Sequence, residues 1–167
     1  MINNKLKKTN TKFSNYLKKF KIHKTHFPRF NEECGVFGIS GSEDAAALTA
    51  LGLHALQHRG QEGCGIVSYD GNSYHSERKF GLVGDNFTNK KSLEKLTGTI
   101  AIGHNRYSTT GGETIRNIQP FYADLYGGAI SVAHNGNLTN ALVLRETMVR
   151  EGARFQTTSD TETIVQL

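Results

Sequence analysis

Short strand-like runs and stretches of helical spacing alternate along the hydrophobic pattern of this chain. The run from Gly35 to Ser40 predicts a buried strand, and apolar residues then recur at helical spacing up to about His58. Ser42 and the two acids after it are typical of the N-cap and first turn of that helix. The predicted apolar face consists of Leu48, Leu51, Ala55 and Leu56.

The middle of the chain predicts a hairpin followed by a small helix and another strand. Asp70-Gly71 is a hairpin turn signal between the predicted strands Gly65–Tyr69 and Ser73–Arg78. A small helix is predicted around Ser92–Leu96, and Thr99–Gly103 has the pattern of a strand. The second strand of the hairpin is thus predicted to return as the partner of the first.

The last third adds two helices and two shorter strands. A strand is predicted at Ala129–Ala133, a helix from about Thr139 to Glu151, and a short strand at Phe155–Thr157. Ser159 is typical of the cap of a last helix, which reaches Leu167 without a stop signal. The order of elements predicts a layered α+β domain that is truncated at its C-terminus.

The charge of the chain divides sharply into two parts. Residues 1–33 carry nine Lys/Arg against Glu32 and Glu33, a net charge of +7, whereas residues 34–167 carry eleven against thirteen acids, a net charge of −2. We therefore expect a basic leader over 1–33 and one domain over 34–167. Solvated extension, targeting peptide and nucleic-acid-binding tail remain alternatives for the leader. The domain itself has no polyanion-binding composition, and no apolar run is long enough for a membrane span.

Cys34 stands at the boundary between these two parts. If it is the first residue of the mature protein, its α-amine (pKa about 7.7–8.0 in model peptides) can accept the proton of its own thiol. The alternative is a small buried hydrophobic residue. A Cys34–Cys64 disulfide is a further alternative, but the chain shows no secretory signal, which favours reduced thiols.

Polar residues also lie where predicted strands end, at Arg106, Asn135-Gly136 and Asp160. A Cys34 thiolate that attacks an amide carbonyl needs oxyanion donors, and the Asn135 side chain beside the Gly136 N–H supplies a suitable pair. The alternatives are a surface position for Arg106, a type I′ turn at Asn135-Gly136, and a helix-cap role for Asp160.

Arg106 and Asp160 suit the two charged groups of an amino-acid substrate. Arg106 can bind an α-carboxylate, Asp160 an α-ammonium, and Thr109 can add a hydroxyl donor near Arg106. These residues predict a substrate with a side-chain amide, glutamine or asparagine. A Cys–His protease using His104 or His134 is the rival hypothesis, but the sequence around Cys34 is not typical of papain-like or caspase-like nucleophiles.

Five ordered motifs carry a resemblance to a known family. From about Asn31 onward, the chain resembles the class II glutamine amidotransferase domain of the amidophosphoribosyltransferases. The motifs are Asn31-Glu32-Glu33-Cys34-Gly35-Val36-Phe37-Gly38-Ile39, Leu56-Gln57-His58-Arg59-Gly60-Gln61-Glu62, Gly103-His104-Asn105-Arg106-Tyr107-Ser108-Thr109, His134-Asn135-Gly136-Asn137-Leu138 and Ser159-Asp160-Thr161-Glu162.

The resemblance implies an N-terminal-nucleophile hydrolase with a four-layer αββα sandwich. It implies self-cleavage at Glu33–Cys34, with Cys34 as nucleophile and Arg59 as structural support. Asn135 and Gly136 would then be the oxyanion donors, and Arg106, Thr109 and Asp160 would bind glutamine.

The resemblance also implies partners and cofactors. The ammonia would convert phosphoribosyl pyrophosphate into 5-phosphoribosylamine, the first step of de novo purine (IMP) synthesis, in a phosphoribosyltransferase domain that this chain lacks. The full-length family implies Mg²⁺ and, in one branch, an iron–sulfur cluster with ligands beyond Leu167, so we expect no cofactor on this chain itself. A cytoplasmic homo-oligomer without nucleic-acid or membrane partners is expected, and Cys64 is interpreted as a packing residue.

Two other hypotheses stay open at the level of sequence. One is another class II glutamine amidotransferase, of the glucosamine-6-phosphate synthase, asparagine synthetase or glutamate synthase type. The other is a non-catalytic remnant that acts as an interaction module.

Overall fold

The computed structural model of the protein describes residues 34–88, 90–107 and 114–167. The predicted leader over 1–33 lies outside these residues. The strands are β1 (Gly35–Ser40), β2 (Gly63–Tyr69), β3 (Tyr74–Phe80), β4 (Ile100–Arg106), β5 (Phe121–Leu125) and β6 (Gly128–Val132). The α-helices are α1 (Ala45–Ala55), α2 (Val83–Asn86), α3 (Lys90–Glu94), α4 (Ala141–Arg150) and α5 (Asp160–Gln166), with 3₁₀ turns at Gln57–Arg59 and Ile115–Asn117. The fold is mixed α+β, as predicted.

The larger sheet is antiparallel, with its four strands in the order β1-β4-β2-β3. Gly35 at the start of β1 pairs with Asn105, and Gly63 at the start of β2 pairs with Arg106. The start of β1 therefore lies beside the end of β4. This register alone brings Cys34, the residue before β1, to the strand end that carries Arg106.

Helix α1 covers this sheet through small residues. A Cβ at Gly52 would overlap the ring of Phe37 on β1, and a Cβ at Gly103 on β4 would lie 2.6 Å from Leu53 Cδ1. The buried residues of α1 are Ala45, Ala46, Thr49, Ala50 and Leu53. The predicted face was therefore wrong, since Leu48, Leu51 and Leu56 are only half-buried and Ala55 is exposed. The helix α1 has apolar residues on all of its sides, so their spacing alone could not show which side is buried against the sheet.

The smaller sheet pairs β5 with β6, and both strands contact α5. Sequence reasoning predicted β6 but neither β5 nor the four-residue helix α2. The strand predicted at Phe155–Thr157 was wrong. Its backbone is held by a carboxylate instead of a neighbouring strand, since Glu162 accepts from the N–H groups of Gln156 (2.8 Å) and Thr157 (2.7 Å).

The predicted hairpin and most helix signals are confirmed. Asp70 Oδ1 accepts from the N–H groups of Asn72 and Ser73 between β2 and β3, and Gly71 has a φ of 101°. Ser159 caps α5 by accepting from the Thr161 N–H. Ser42 is not the N-cap of α1, since its Oγ accepts from Asp44 N–H in a turn before the helix begins.

Across the described ranges, no helix is long and apolar enough to cross a bilayer.

Candidate active site

The Cys34 side chain is half-buried beside the residue that follows β4. Its Sγ lies 3.3 Å from the Tyr107 backbone nitrogen and 3.5 Å from the Tyr107 carbonyl oxygen. A thiol can donate to that carbonyl, and a thiolate can accept from the N–H. The Tyr107 backbone can therefore hydrogen-bond to the sulfur both as a thiol and as a thiolate.

The carbonyl oxygen of Cys34 is the meeting point of two side chains from distant parts of the chain. Asn135 Nδ2 donates to it at 2.6 Å and Arg59 Nε at 3.2 Å. Arg59 is held there by the 3₁₀ turn after α1, and Asn135 follows β6. The structure therefore brings together three of the residues that the motifs singled out.

Arg106 ends β4 and is buried, with 8% of its surface exposed, so its interpretation as a surface residue was wrong. Its Nε lies 3.2 Å from Glu62 Oε1, and its carbonyl accepts from the Glu62 N–H at 3.2 Å. A Cβ at Gly60 would lie 2.7 Å from the Arg106 carbonyl carbon, so this glycine permits the close approach. Glu62 offsets the cost of burying the guanidinium charge.

The segment His134–Gly136 runs past Cys34 after β6. Neither Asn135 nor Gly136 has a positive φ, so the type I′ interpretation was wrong, because that turn requires positive φ at both central residues. A Cβ at Gly136 would lie 2.8 Å from His134 Nε2. A side chain at this position would displace either the segment or the histidine.

Asp160 joins the segment after β6 to the start of α5. Its Oδ2 accepts from the Leu138 N–H at 2.8 Å and lies 3.9 Å from His134 Nδ1. Ser159, not Asp160, is the helix cap. The carboxylate therefore lies beside the segment that follows β6 as well as at the helix terminus. Thr109, the other predicted binding residue, lies outside the described residues.

The two histidines of the rival protease hypothesis have other surroundings. His104 is buried in β4, and burial, together with the nearby Arg106 charge, lowers the pKa of its ring to about 4. His134 lies near Asp160. Among the described residues, neither ring hydrogen-bonds to Cys34 Sγ, whose two bonds both go to Tyr107.

Cys64 packs in the core, as predicted, and both cysteines are free. Burial raises the pKa of the Cys64 thiol to about 12. Within the part of the chain that the structure describes, no group of three His, Cys, Asp or Glu side chains could hold a metal ion.

Sequence reasoning missed three residues of this site: Glu62 and Gln119, which act through their side chains, and Tyr107, which contacts Cys34 Sγ through its backbone. Glu62 and Tyr107 stand inside quoted motifs, but nothing in their spacing indicated their partners. Gln119 stands in none of the motifs. Its side-chain Oε1 accepts from the His134 N–H at 2.7 Å, and its Nε2 donates to the His134 carbonyl at 3.2 Å.

This α+β fold, in which Asn135 and Arg59 meet at the Cys34 carbonyl, is similar to a glutamine amidotransferase domain. The family model described as "Glutamine amidotransferase domain" matches residues 104–167.

The relatives are more specific. The amidophosphoribosyltransferase of Rhizobium etli is 61% identical over 137 residues, which cover 82% of this chain and 28% of that protein. The amidophosphoribosyltransferase sequence from Lacticaseibacillus casei is 51% identical over 143 residues, which cover 85% of this chain and 74% of that sequence. The chain belongs to the amidophosphoribosyltransferase family.

Solved structures agree with the sequence relatives. A structure described as the allosteric regulatory enzyme of purine biosynthesis matches with a TM-score of 0.73 and 47% identity, over 79% of this chain and 28% of that one. The glutamine phosphoribosylpyrophosphate amidotransferase from B. subtilis, complexed with ADP and GMP, matches with a TM-score of 0.71 and 45% identity, over the same shares of the two chains. The chain thus spans about a quarter of these structures, and none of these names favours another class II amidotransferase.

Proposed function

We propose that this chain is the glutamine-hydrolysing part of an amidophosphoribosyltransferase and that Cys34 is its nucleophile. The observation that carries the proposal is the junction at the Cys34 carbonyl. Asn135, which is 101 residues away in the sequence, donates to it at 2.6 Å. An amide donor held at the nucleophilic residue suits a reaction in which an oxyanion develops on the carbon that is bonded to the sulfur.

In this proposal the α-amine of Cys34 accepts the thiol proton and becomes an α-ammonium, and Cys34 Sγ forms a bond to the side-chain carbonyl carbon of glutamine. The carbonyl π electrons move to oxygen, and the Asn135 amide and the Gly136 N–H stabilise the resulting oxyanion. When the oxyanion collapses, the C–N bond breaks and ammonia leaves with a proton from the α-ammonium of Cys34. Water then hydrolyses the thioester, which releases glutamate and restores the thiol.

Arg106 and Asp160 would bind the α-carboxylate and α-ammonium of glutamine, with Thr109 as a further donor. Arg59 would act as structural support, since it donates to the Cys34 carbonyl at 3.2 Å. Buried Arg106 beside Glu62 supports this assignment, because a guanidinium fixed by an ion pair presents its donors in set directions.

The α-amine base requires cleavage of the Glu33–Cys34 peptide bond, because the Cys34 nitrogen is an amide in the printed chain. We therefore infer that residues 1–33 are a leader and that 34–167 belong to a four-layer αββα sandwich of the N-terminal-nucleophile type. The ammonia would be used with phosphoribosyl pyrophosphate in the whole protein to make 5-phosphoribosylamine for purine synthesis. A cytoplasmic homo-oligomer is part of the same proposal.

The cofactors of the family do not fit the residues of this chain alone. An iron–sulfur cluster needs four ligands, usually thiolates. This chain has two cysteines, of which Cys64 is buried in the core and Cys34 is the proposed nucleophile. We assign no step to a cluster or to Mg²⁺.

The test is release of glutamate from L-glutamine by the full-length gene product. Cys34→Ser is expected to lower kcat at least about 10³-fold, because the hydroxyl is a far weaker nucleophile at neutral pH. Cys64→Ala is the matched control and should retain activity. Activity in Cys34→Ser close to that of the parent would contradict the proposal.

A further inference from the structure

The Gln119 side chain hydrogen-bonds to the backbone of His134, the residue that precedes the proposed oxyanion donors. Its Oε1 accepts from the His134 N–H at 2.7 Å, and its Nε2 donates to the His134 carbonyl at 3.2 Å. The next two residues are Asn135 and Gly136. One side-chain amide thus satisfies both backbone groups of His134, as a neighbouring strand would do.

Gln119 is itself fixed in the fold. It is buried, with 7% of its surface exposed, and Ile118 before it is fully buried. A Cβ at Gly65 on β2 would overlap the Gln119 carbonyl oxygen, so the backbone of Gln119 lies directly on that strand. The amide therefore links the larger sheet to the segment after β6.

We infer that Gln119 is a positioning residue that sets the place of the Asn135 amide and the Gly136 N–H relative to Cys34. This inference rests on the proposed function, in which those two groups stabilise the oxyanion. Since such donors act in the transition state, their displacement lowers kcat more than it raises KM. The further inference is thus that one buried amide controls the chemical step through the backbone of His134.

The experiment uses Gln119→Glu in the full-length gene product, with glutaminase kcat and KM measured from pH 6 to pH 8. The introduced carboxyl keeps the acceptor for the His134 N–H. When it is ionised its second oxygen faces the His134 carbonyl and repels it, whereas the protonated group donates to that carbonyl. Burial raises the pKa of such a carboxyl towards the measured range, so the protonated fraction increases as the pH falls to 6.

We expect kcat at pH 8 to fall about 10-fold or more, with KM within about threefold of the parent value. The ratio of variant to parent kcat should rise at least about fivefold as the pH falls to 6. Gln119→Met, which loses both hydrogen bonds, should lower kcat at every pH without recovery. If Gln119→Glu does not fold, the comparison of kcat and KM in Gln119→Met decides whether Gln119 is a positioning residue.

Asn86→Asp is the matched control. Its Nδ2 donates to the carbonyls of Phe80 (2.7 Å) and Leu82 (2.9 Å), away from Cys34, so the same amide-to-carboxylate change should lower stability but leave kcat within about twofold. Parent-like kcat in Gln119→Met, or a loss in Gln119→Glu that appears in KM instead of kcat, would overturn the inference. An inactive parent, or a parent that does not depend on Cys34, would instead overturn the proposed function.

Discussion

Arg106 illustrates at the scale of single residues how a buried charge is supported. Its Nε lies 3.2 Å from the Glu62 carboxylate, and the side chain is 10% exposed. A guanidinium has five donors in a rigid fork, so an ion pair through Nε also orients the rest of the group. An ammonium cannot reproduce this geometry.

Arg106→Lys is therefore expected to raise the KM for glutamine about 10- to 100-fold, since a charge-assisted hydrogen bond is worth about 1.5–3 kcal/mol. The effect on kcat should be smaller. Steady-state glutaminase kinetics check this, with the exposed Arg116→Lys as control. An unchanged KM would mean that Arg106 does not bind the substrate.

The lowered pKa of His104 predicts that the free energy of unfolding depends on pH. The folded-state pKa of its ring is lowered from 6.5 to about 4, first by burial and then by the Arg106 charge. The unfolded chain therefore binds a proton more readily between these values. The stabilising contribution of the neutral ring is complete above pH 6.5 and is lost progressively as the pH falls to about 4, up to about 3 kcal/mol in total.

Denaturant unfolding of the parent and of His104→Gln at several pH values measures this contribution. The free energy of unfolding of the parent should fall more steeply between pH 6.5 and pH 4, by up to about 1.4 kcal/mol per pH unit. Equal slopes in the two proteins would show that His104 is not held neutral.

Sequence reasoning found the residues at strand ends and Arg59, but it did not find Glu62 and Gln119, which support Arg106 and the segment after β6. Cys34, Arg106 and Asn135 stand out because polar residues end apolar strands. Glu62 and Gln119 have no such local signal, because their roles depend on Arg106 and His134, which lie far from them in the sequence and are brought near by the strand register. Tertiary contacts of this kind are not visible in periodicity.

At the scale of elements, α1 approaches the sheet closely because Gly52 lies against the Phe37 ring. Gly52→Ala adds a methyl group there, which costs about 1–3 kcal/mol by overpacking and outweighs the gain of about 1 kcal/mol in helix propensity. We expect a net loss of up to about 2 kcal/mol in unfolding free energy, measured by denaturant titration.

Gly84→Ala in α2 is the control for this change. Its Cβ would lie 3.4 Å from His54 Cε1, an ordinary contact, so it should be neutral or stabilise by up to about 1 kcal/mol. Equal effects of the two substitutions would contradict close packing at Gly52.

Elements with their own local signals were predictable, and those defined by distant partners were not. The β2–β3 hairpin follows from Asp70 and Gly71, and α5 follows from its Ser159 cap. Phe155–Thr157 has the composition of a strand, but the carboxylate of Glu162 accepts the bonds that a partner strand would take. The α1 face was missed because four small residues and Leu53, rather than Leu48, Leu51 and Leu56, are the ones buried.

At the scale of the whole molecule, the charge division between residues 1–33 (+7) and 34–167 (−2) agrees with a removable leader. In the proposed mechanism, Cys34 is an N-terminal nucleophile and its own α-amine is the base. This mechanism requires that the bond before Cys34 is cleaved in the active protein.

The most direct test is the intact mass of the full-length gene product, purified and assayed for glutaminase activity in the same preparation. We expect the active protein to have a mass that begins at Cys34. The Cys34→Ala variant should be inactive and should retain residues 1–33. Active protein that retains residues 1–33 would contradict the proposed mechanism, because its Cys34 nitrogen would still be an amide.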